Sequence, residues 1–385
     1  LNCSVLCCAA QITRKLNQEG FMQFKKYLFI SSACAAAWLV CPGASAAPVN
    51  DANQSARQLI QQTMKELRTP GLQIAVIKDG QLVLSESYGL ANVENSVPVT
   101  PVTLFPINSA TKAFTGVAMM QLAEAGLVDL NAPVSRYLDD LPESWRGIRL
   151  RQLLGHTSGL PDIVDQKGLI GGASERDAWK AVKALPMDAP VGDRFAYNQT
   201  NYGLLAQIIA KQAKIPYEQY LAKNQFVPAK MPLSTFGDSY DLVTNAATIY
   251  SHSPRGTMAS GDDNRLSHWI YEIPYSLWAG GGMQTTADEV ARWIMALSSG
   301  KFISAANVDN MWTPEKLNSG ADGDWGAGWP VLHAAPDRQV AGIGGARAAF
   351  IVYPDEQLAI IVLTNLAGAN PQRFIPQIAR LYKSR

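Results

Sequence analysis

Cysteine is confined to one end of this 385-residue chain: Cys3, Cys7, Cys8, Cys34 and Cys41 are its five thiols, and none follows. The long remainder therefore has no disulfide framework, cysteine nucleophile or thiolate metal site. It is long enough to bury a sizeable core without such staples. Histidine is also scarce. His156, His252, His268 and His333 are scattered, without the HExxH or similar spacing of a zinc site, so no metal and no cofactor is expected. Charge of one sign is lacking as well. Thirty-three basic residues face 32 acidic ones, net +1, with no basic stripe or charged tail, so nucleic acid is not an expected partner. Internal repeats and low-complexity linkers are absent, which makes residues 47–385 a single domain by default.

A membrane-spanning run is missing too. The apolar stretch Tyr27 to Val40 is too short and too rich in Ala and Ser for a stable span. With Lys25 and Lys26 before it and Ala44-Ser45-Ala46 after it, the segment from Met22 reads as a secretory signal cut after Ala46. Residues before Met22 read as an upstream extension. The expected location is periplasmic or secreted, and oligomeric state is left open.

What is present is punctuated α and β structure. Ser55 to Leu67 carries Ala56, Ile60, Met64 and Leu67 on one helical face. Leu72 to Ile77 and Leu82 to Tyr88 are β-rich and flank Asp79-Gly80, a hairpin turn. The middle is mostly helical, with Ser174 capping one helix and a Pro190 to Asp193 turn leading to Tyr197 and a further helix. Ser239 to Trp278 is polar, aromatic and weakly periodic, either lining a cleft or covering core. Thr286-Ala287-Asp288-Glu289 reads as a capping box. Strands return at Ala348 to Tyr353 and Leu358 to Thr364, before a closing helix from Pro371 to Tyr382. The fold class is α+β. One antiparallel sheet is built from both chain ends (about 50–105 and 280–385), terminal helices cover one face, and a mostly helical lobe (about 106–279) is inserted.

The stretch Pro106 to Gly126 stands out. It reads as one helix with Asn108 as N-cap and Gly126 as stop, uncharged from Ala113 to Leu122 and hence buried on all sides. Ser109 and Lys112 share a face of its first turn. A cation is badly placed at a helix N-terminus. Beside a serine hydroxyl it has a use, assisting deprotonation. Ser298-Ser299-Gly300-Lys301 has the same spacing but spans a helix end. His156, in Gly155-His156-Thr157-Ser158-Gly159, reads as a structural histidine holding a turn.

Five segments together resemble the serine β-lactamase-related, penicillin-recognising family, of the class C β-lactamase, D-alanyl-D-alanine carboxypeptidase and family VIII esterase type. They are Ser109-Ala110-Thr111-Lys112, Leu153 to Leu160, Tyr197-Asn198-Gln199, Gly280 to Asp288 and Val362-Leu363-Thr364-Asn365. The resemblance implies the β-lactamase/transpeptidase-like fold, Ser109 as nucleophile, and Lys112 and Tyr197 sharing general-base work. It also implies an oxyanion hole from the backbone N–H groups of Ser109 and of a strand residue, Gly345. Burial disfavours a charged lysine and a nearby cation favours a charged tyrosinate, so clustering supplies both settings. Which of the two takes the first proton stays open.

There are two departures. Gln199 stands where Tyr-x-Asn has asparagine, which shifts an amide expected at the substrate. Gly342-Ile343-Gly344 stands where Lys-Thr-Gly or His-x-Gly is expected, so the usual cation is missing. Gly344 is expected at the substrate edge, and Arg347 is near enough in sequence to substitute for the cation. The expected activity is an exported serine hydrolase forming an acyl-enzyme on small esters, lactams or peptides. β-Lactamase or D-alanyl-D-alanine peptidase is an alternative, as is a catalytically weak peptide-binding or regulatory protein.

Overall fold

Two β-rich segments distant in sequence pair at the centre of the main sheet. In the computed structural model, which describes residues 47–165, 168–172, 174–252 and 264–383, the main sheet has seven antiparallel strands. These are β1 (Gly71–Lys78), β2 (Gln81–Asn92), β3 (Val97–Pro98), β4 (Val331–His333), β5 (Gln339–Gly344), β6 (Ala348–Tyr353) and β7 (Leu358–Thr364). Their spatial order is β4-β5-β6-β7-β1-β2-β3. Leu72 pairs with Thr364 and Lys78 with Leu358, so the N-terminal hairpin docks on the last strand of the C-terminal meander. Asp79 and Gly80 both take positive φ, +52° and +73°, as the hairpin turn requires. The α+β sheet expected from both termini is borne out. The expected signal, residues 22–46, lies outside the described residues.

Alternation along β1 and β6 divides the core in two. Leu72, Ile74, Val76, Ala349 and Ile351 face one side. There they meet Ala52, Ala56 and Ile60 of helix α1 (Ala47–Leu67) and Ile375, Ile378 and Tyr382 of helix α5 (Ile375–Tyr382). Helix α1 begins earlier than the periodicity from Ser55 indicates. Asn53 supplies the reason: its Nδ2 donates to Val83 O and its Oδ1 accepts from the Tyr382 hydroxyl, so a polar residue serves the buried stripe. The opposite face (Ala75, Ile77, Phe350, Ile361) packs on helix α4 (Ala287–Ser298) and runs without interruption into the helical region. Thr286 caps α4 by accepting from Glu289 N–H, but the Glu289 carboxylate accepts from Leu233 N–H and the Ser234 hydroxyl instead, so only half of the capping box forms.

Helix α2 (Thr111–Glu124) lies in the middle of this second core. Every residue from Thr111 to Met120 is buried, which confirms the reading of an all-round apolar helix. Gly126, at φ +70°, ends it. Asn108 does not cap it. That residue sits at φ +44° in a 3₁₀ turn (Asn108–Ala110) preceding α2, and no side chain caps the helix. At Gly116 a Cβ would lie 2.0 Å from the Ala327 carbonyl oxygen. Helix propensity alone favours alanine there by about 1 kcal/mol. Overpacking reverses the sign, so Gly116→Ala is expected to destabilise by about 1–3 kcal/mol. Urea unfolding measures this, and a raised midpoint would contradict the packing account.

Candidate active site

Ser109 lies in the 3₁₀ turn that opens into α2, and Lys112 one turn further on. Lys112 is wholly buried. Its ammonium donates to Gly280 O at 2.7 Å and to Gln199 Oε1 at 2.9 Å. It also lies 4.7 Å from the centre of the Tyr197 ring and 4.9 Å from that of Tyr202. Carbonyl oxygens and aromatic faces thus replace much of the water that a buried ammonium loses. Gly280 belongs to a short helix (Trp278–Gly281), where a Cβ would sit 2.7 Å from Gln199 Oε1. The first residue of the Gly280 to Asp288 segment therefore brings a backbone carbonyl onto the lysine.

Tyr197 comes from the segment just before helix α3 (Thr200–Ala213). Its hydroxyl donates to Ser109 Oγ at 2.8 Å. The residue is 39% exposed, so a molecule arriving from solvent reaches it. Burial of the hydroxyl pushes the phenol's pKa up. The Lys112 charge, with polar contacts to Lys112, Ser109 and Gln199, pulls it down further, and the net position is below the ordinary value of 10.0. The structure therefore brings Ser109, Lys112 and Tyr197 together, with Tyr197 in contact with the serine oxygen and Lys112 donating to Gly280 and Gln199.

His156 backs this group. At φ +57°, it is wholly buried, and its Nδ1 accepts from Asn198 N–H at 3.3 Å and from the Asn201 amide at 3.1 Å. Burial, then the Lys112 charge, holds it well below its ordinary pKa and so neutral. Its ring lies 4.5 Å from that of Tyr197 and 4.8 Å from that of Trp325. This is the turn-holding histidine expected from the sequence, and it packs behind Tyr197. Gln199 accepts from Lys112, and its own N–H donates to Asp162 Oδ1 at 2.9 Å. The sequence offers no signal for Asp162.

On the other side of Ser109 stands the end of β5. A Cβ on Gly344 would lie 1.9 Å from Ile107 O and 2.7 Å from Ser109 N, so only glycine lets the strand approach the serine turn this closely. Gly345 was expected as a strand residue and is not one. β5 stops at Gly344, and Gly345 takes φ +58° in the turn to β6. Arg347 is buried, at 3% exposure. Its Nε donates to Asn108 Oδ1 at 2.9 Å, and the Tyr271 ring lies 4.7 Å from its guanidinium carbon. Tyr271 belongs to the aromatic segment read as lining a cleft or covering core, whereas Asn108 reads in the sequence as a helix cap. An asparagine before the serine is the one available signal, since asparagine tolerates left-handed backbone.

The aromatic segment from Ser239 divides between its two readings. Trp269 and Tyr271 line a cleft of about 190 Å³ with Asp238, Asp241 and Gln284, whereas Tyr250 is buried with Leu366 and Ala369. Among the described residues no three His, Cys, Asp or Glu side chains come together as metal ligands, and no helix is long and apolar enough to cross a membrane.

The chain is 29% identical over 253 residues to protein flp of Staphylococcus aureus strain MW2, covering 64% of this chain and 49% of that one. It thus spans about half the length of the curated relatives it matches. Among solved structures it resembles the octameric penicillin-binding protein homologue from Pyrococcus abyssi, with TM-score 0.68 and 25% identity over 84% of this chain and 77% of that one. It shares its fold with EstCE1, described as a hydrolase with promiscuous acyltransferase activity, at TM-score 0.73 and 20% identity over 88% of this chain and all of the other. A family profile described as Beta-lactamase matches residues 56–382. That span runs from α1 to the end of α5 and takes in every element that positions Ser109, Lys112 and Tyr197, and the chain belongs to this Beta-lactamase family.

Proposed function

We propose that this protein is an exported serine hydrolase that forms an acyl-enzyme on Ser109 and prefers small esters. The observation that carries the reading is the 2.8 Å contact between the Tyr197 hydroxyl and Ser109 Oγ, beside a buried Lys112. Loss of the phenol proton reverses that hydrogen bond, and Ser109 then donates to the phenolate. As Oγ attacks the ester carbonyl, its proton passes to Tyr197. The ester C–O bond breaks, and the same proton leaves with the alcohol. Water then attacks the acyl-enzyme by the same route and releases the acid. The N–H groups of Ser109 and Gly345 are the proposed donors to the developing oxyanion. Export rests on the signal read at Met22 to Ala46.

Preference for esters follows from Gly342. Where the resemblance implies a lysine or histidine, this chain has no side chain at all. A hydrogen bond between charged groups is worth about 1.5–3 kcal/mol. Its absence is expected to cost about tenfold to over a hundredfold in kcat/KM for penicillins or D-alanyl peptides, and nothing for an uncharged ester. One relative is named a penicillin-binding protein homologue, which keeps penicillins among the substrates to be compared. The test is kcat/KM for p-nitrophenyl butyrate against a chromogenic cephalosporin. An equal or larger cephalosporin value would reject the ester preference. The missing cation also favours one second reading, a weakly catalytic peptide-binding protein. Fluorophosphonate labelling separates the two, since only the hydrolase is modified at Ser109.

A further inference from the structure

We infer that Arg347 is a positioning residue that bolts the nucleophile turn to the central sheet through Asn108, and does not act as the substrate's cation. This rests on the hydrolase reading of Ser109. Asn108 and Arg347 stand 239 positions apart in the sequence, and their side chains meet in a buried hydrogen bond. Asn108 immediately precedes Ser109 and holds left-handed backbone at φ +44°, a conformation disfavoured for a residue with a side chain. That kink brings the Ser109 nitrogen beside the end of β5, where a Cβ on Gly344 would lie 2.7 Å from it. The bond from Arg347 Nε to Asn108 Oδ1 holds the kink in place.

The bolt is anchored at its other end. Arg347 N–H donates to Gly344 O at 3.1 Å, closing the turn that carries Gly345. Arg347 O accepts from Thr364 N–H at 2.9 Å and from the Thr364 hydroxyl at 3.0 Å, at the end of β7. The Tyr271 ring covers the guanidinium. At Gly345 a Cβ would lie 2.4 Å from Asn108 Oδ1 and 2.8 Å from Arg347 Nε, so the turn, the asparagine and the arginine form one packed unit. Ser109 lies on one side of the junction and Gly345 on the other. These residues carry the two proposed oxyanion donors, and the Asn108–Arg347 bond sets how far apart they stand. At 3% exposure, the arginine is closed off from a substrate carboxylate.

The consequence belongs to kcat. Displacing one oxyanion donor costs less than removing it, so Arg347→Met and Asn108→Gly are each expected to lower kcat for p-nitrophenyl butyrate by roughly 10–100-fold, with KM within about threefold of wild type. Asn108→Gly keeps left-handed backbone accessible and removes only the acceptor. Asn108→Asp keeps the acceptor and is expected to recover most of the rate. The double variant Arg347→Met/Asn108→Gly should lose no more than either single one, because both break the same bond. Hydrogen–deuterium exchange of peptides covering residues 105–114 should quicken in both single variants. That readout needs no turnover, so it tests the bolt even if wild-type protein neither hydrolyses the ester nor labels at Ser109, which would defeat the hydrolase reading instead. If Arg347→Met does not fold, the Asn108 variants decide. Additive losses, unchanged kcat and exchange in Asn108→Gly, or an Arg347→Met defect confined to KM for carboxylate-bearing substrates would overturn the proposal.

Discussion

Replacing Ser109 with alanine is expected to lower kcat/KM for p-nitrophenyl butyrate by about 10⁴–10⁶-fold, with little change in the unfolding midpoint. The size follows from the chemistry. Without Oγ no acyl-enzyme forms, and only binding and oxyanion stabilisation are left to assist water. The small effect on folding follows from the contacts. Ser109 Oγ is engaged by the Tyr197 hydroxyl, and that hydroxyl keeps its polar contacts to Lys112 and Gln199 when the serine oxygen is gone. Turnover and intact mass after fluorophosphonate treatment are the two measurements. Activity within tenfold of wild type, or an adduct that persists in the variant, would place the nucleophile elsewhere.

Tyr197→Phe should lower the rate by roughly 10²–10⁴-fold, the usual worth of a positioned general acid or base. Its pH dependence carries the more specific content. Burial raises the Tyr197 pKa, the Lys112 charge and neighbouring polar groups lower it more, and the net shift is downward from 10.0. A base must be ionised to act, so activity should rise with pH along a limb whose midpoint lies below the ordinary phenol value, and flatten above it. The phenylalanine variant should lack that limb. Removing the nearby charge in Lys112→Met takes away the largest influence favouring the phenolate, so whatever activity is left should show the limb moved to higher pH. A limb that survives unchanged in Tyr197→Phe would identify a different base.

The structure also sharpens the question left open by residue types alone. Ser-x-x-Lys spacing puts Lys112 on the serine's helix face, which suits either residue as first proton acceptor. In the fold the lysine ammonium donates to Gly280 O and Gln199 Oε1, whereas the tyrosine hydroxyl touches Ser109 Oγ. The proposed division of labour follows, with Tyr197 moving the proton and Lys112 setting how readily it does so.

Local chemistry is legible in the chain itself. The Asp79-Gly80 hairpin, the all-apolar α2 with its Gly126 stop, the Ser174 and Thr286 caps, the turn-holding His156 and the Ser109–Lys112 pair each depend on residues within a few positions of one another, where periodicity and turn preference act. What these positions could not specify was partnership across the fold. The pairing of Leu72 with Thr364, the carbonyl that Gly280 presents to Lys112 from 168 positions away, and the reach of Arg347 to Asn108 all join segments distant in sequence. Asn108 shows the difference at a single residue. Its type fits a helix cap, which is a local use of its amide, but in the fold the backbone turns left-handed and the amide oxygen meets a guanidinium delivered from 239 positions further along the chain. A side chain's hydrogen-bonding capacity is set by its type. Which partner satisfies it is set by strand register and packing, and these exist only once both ends of the chain have come together.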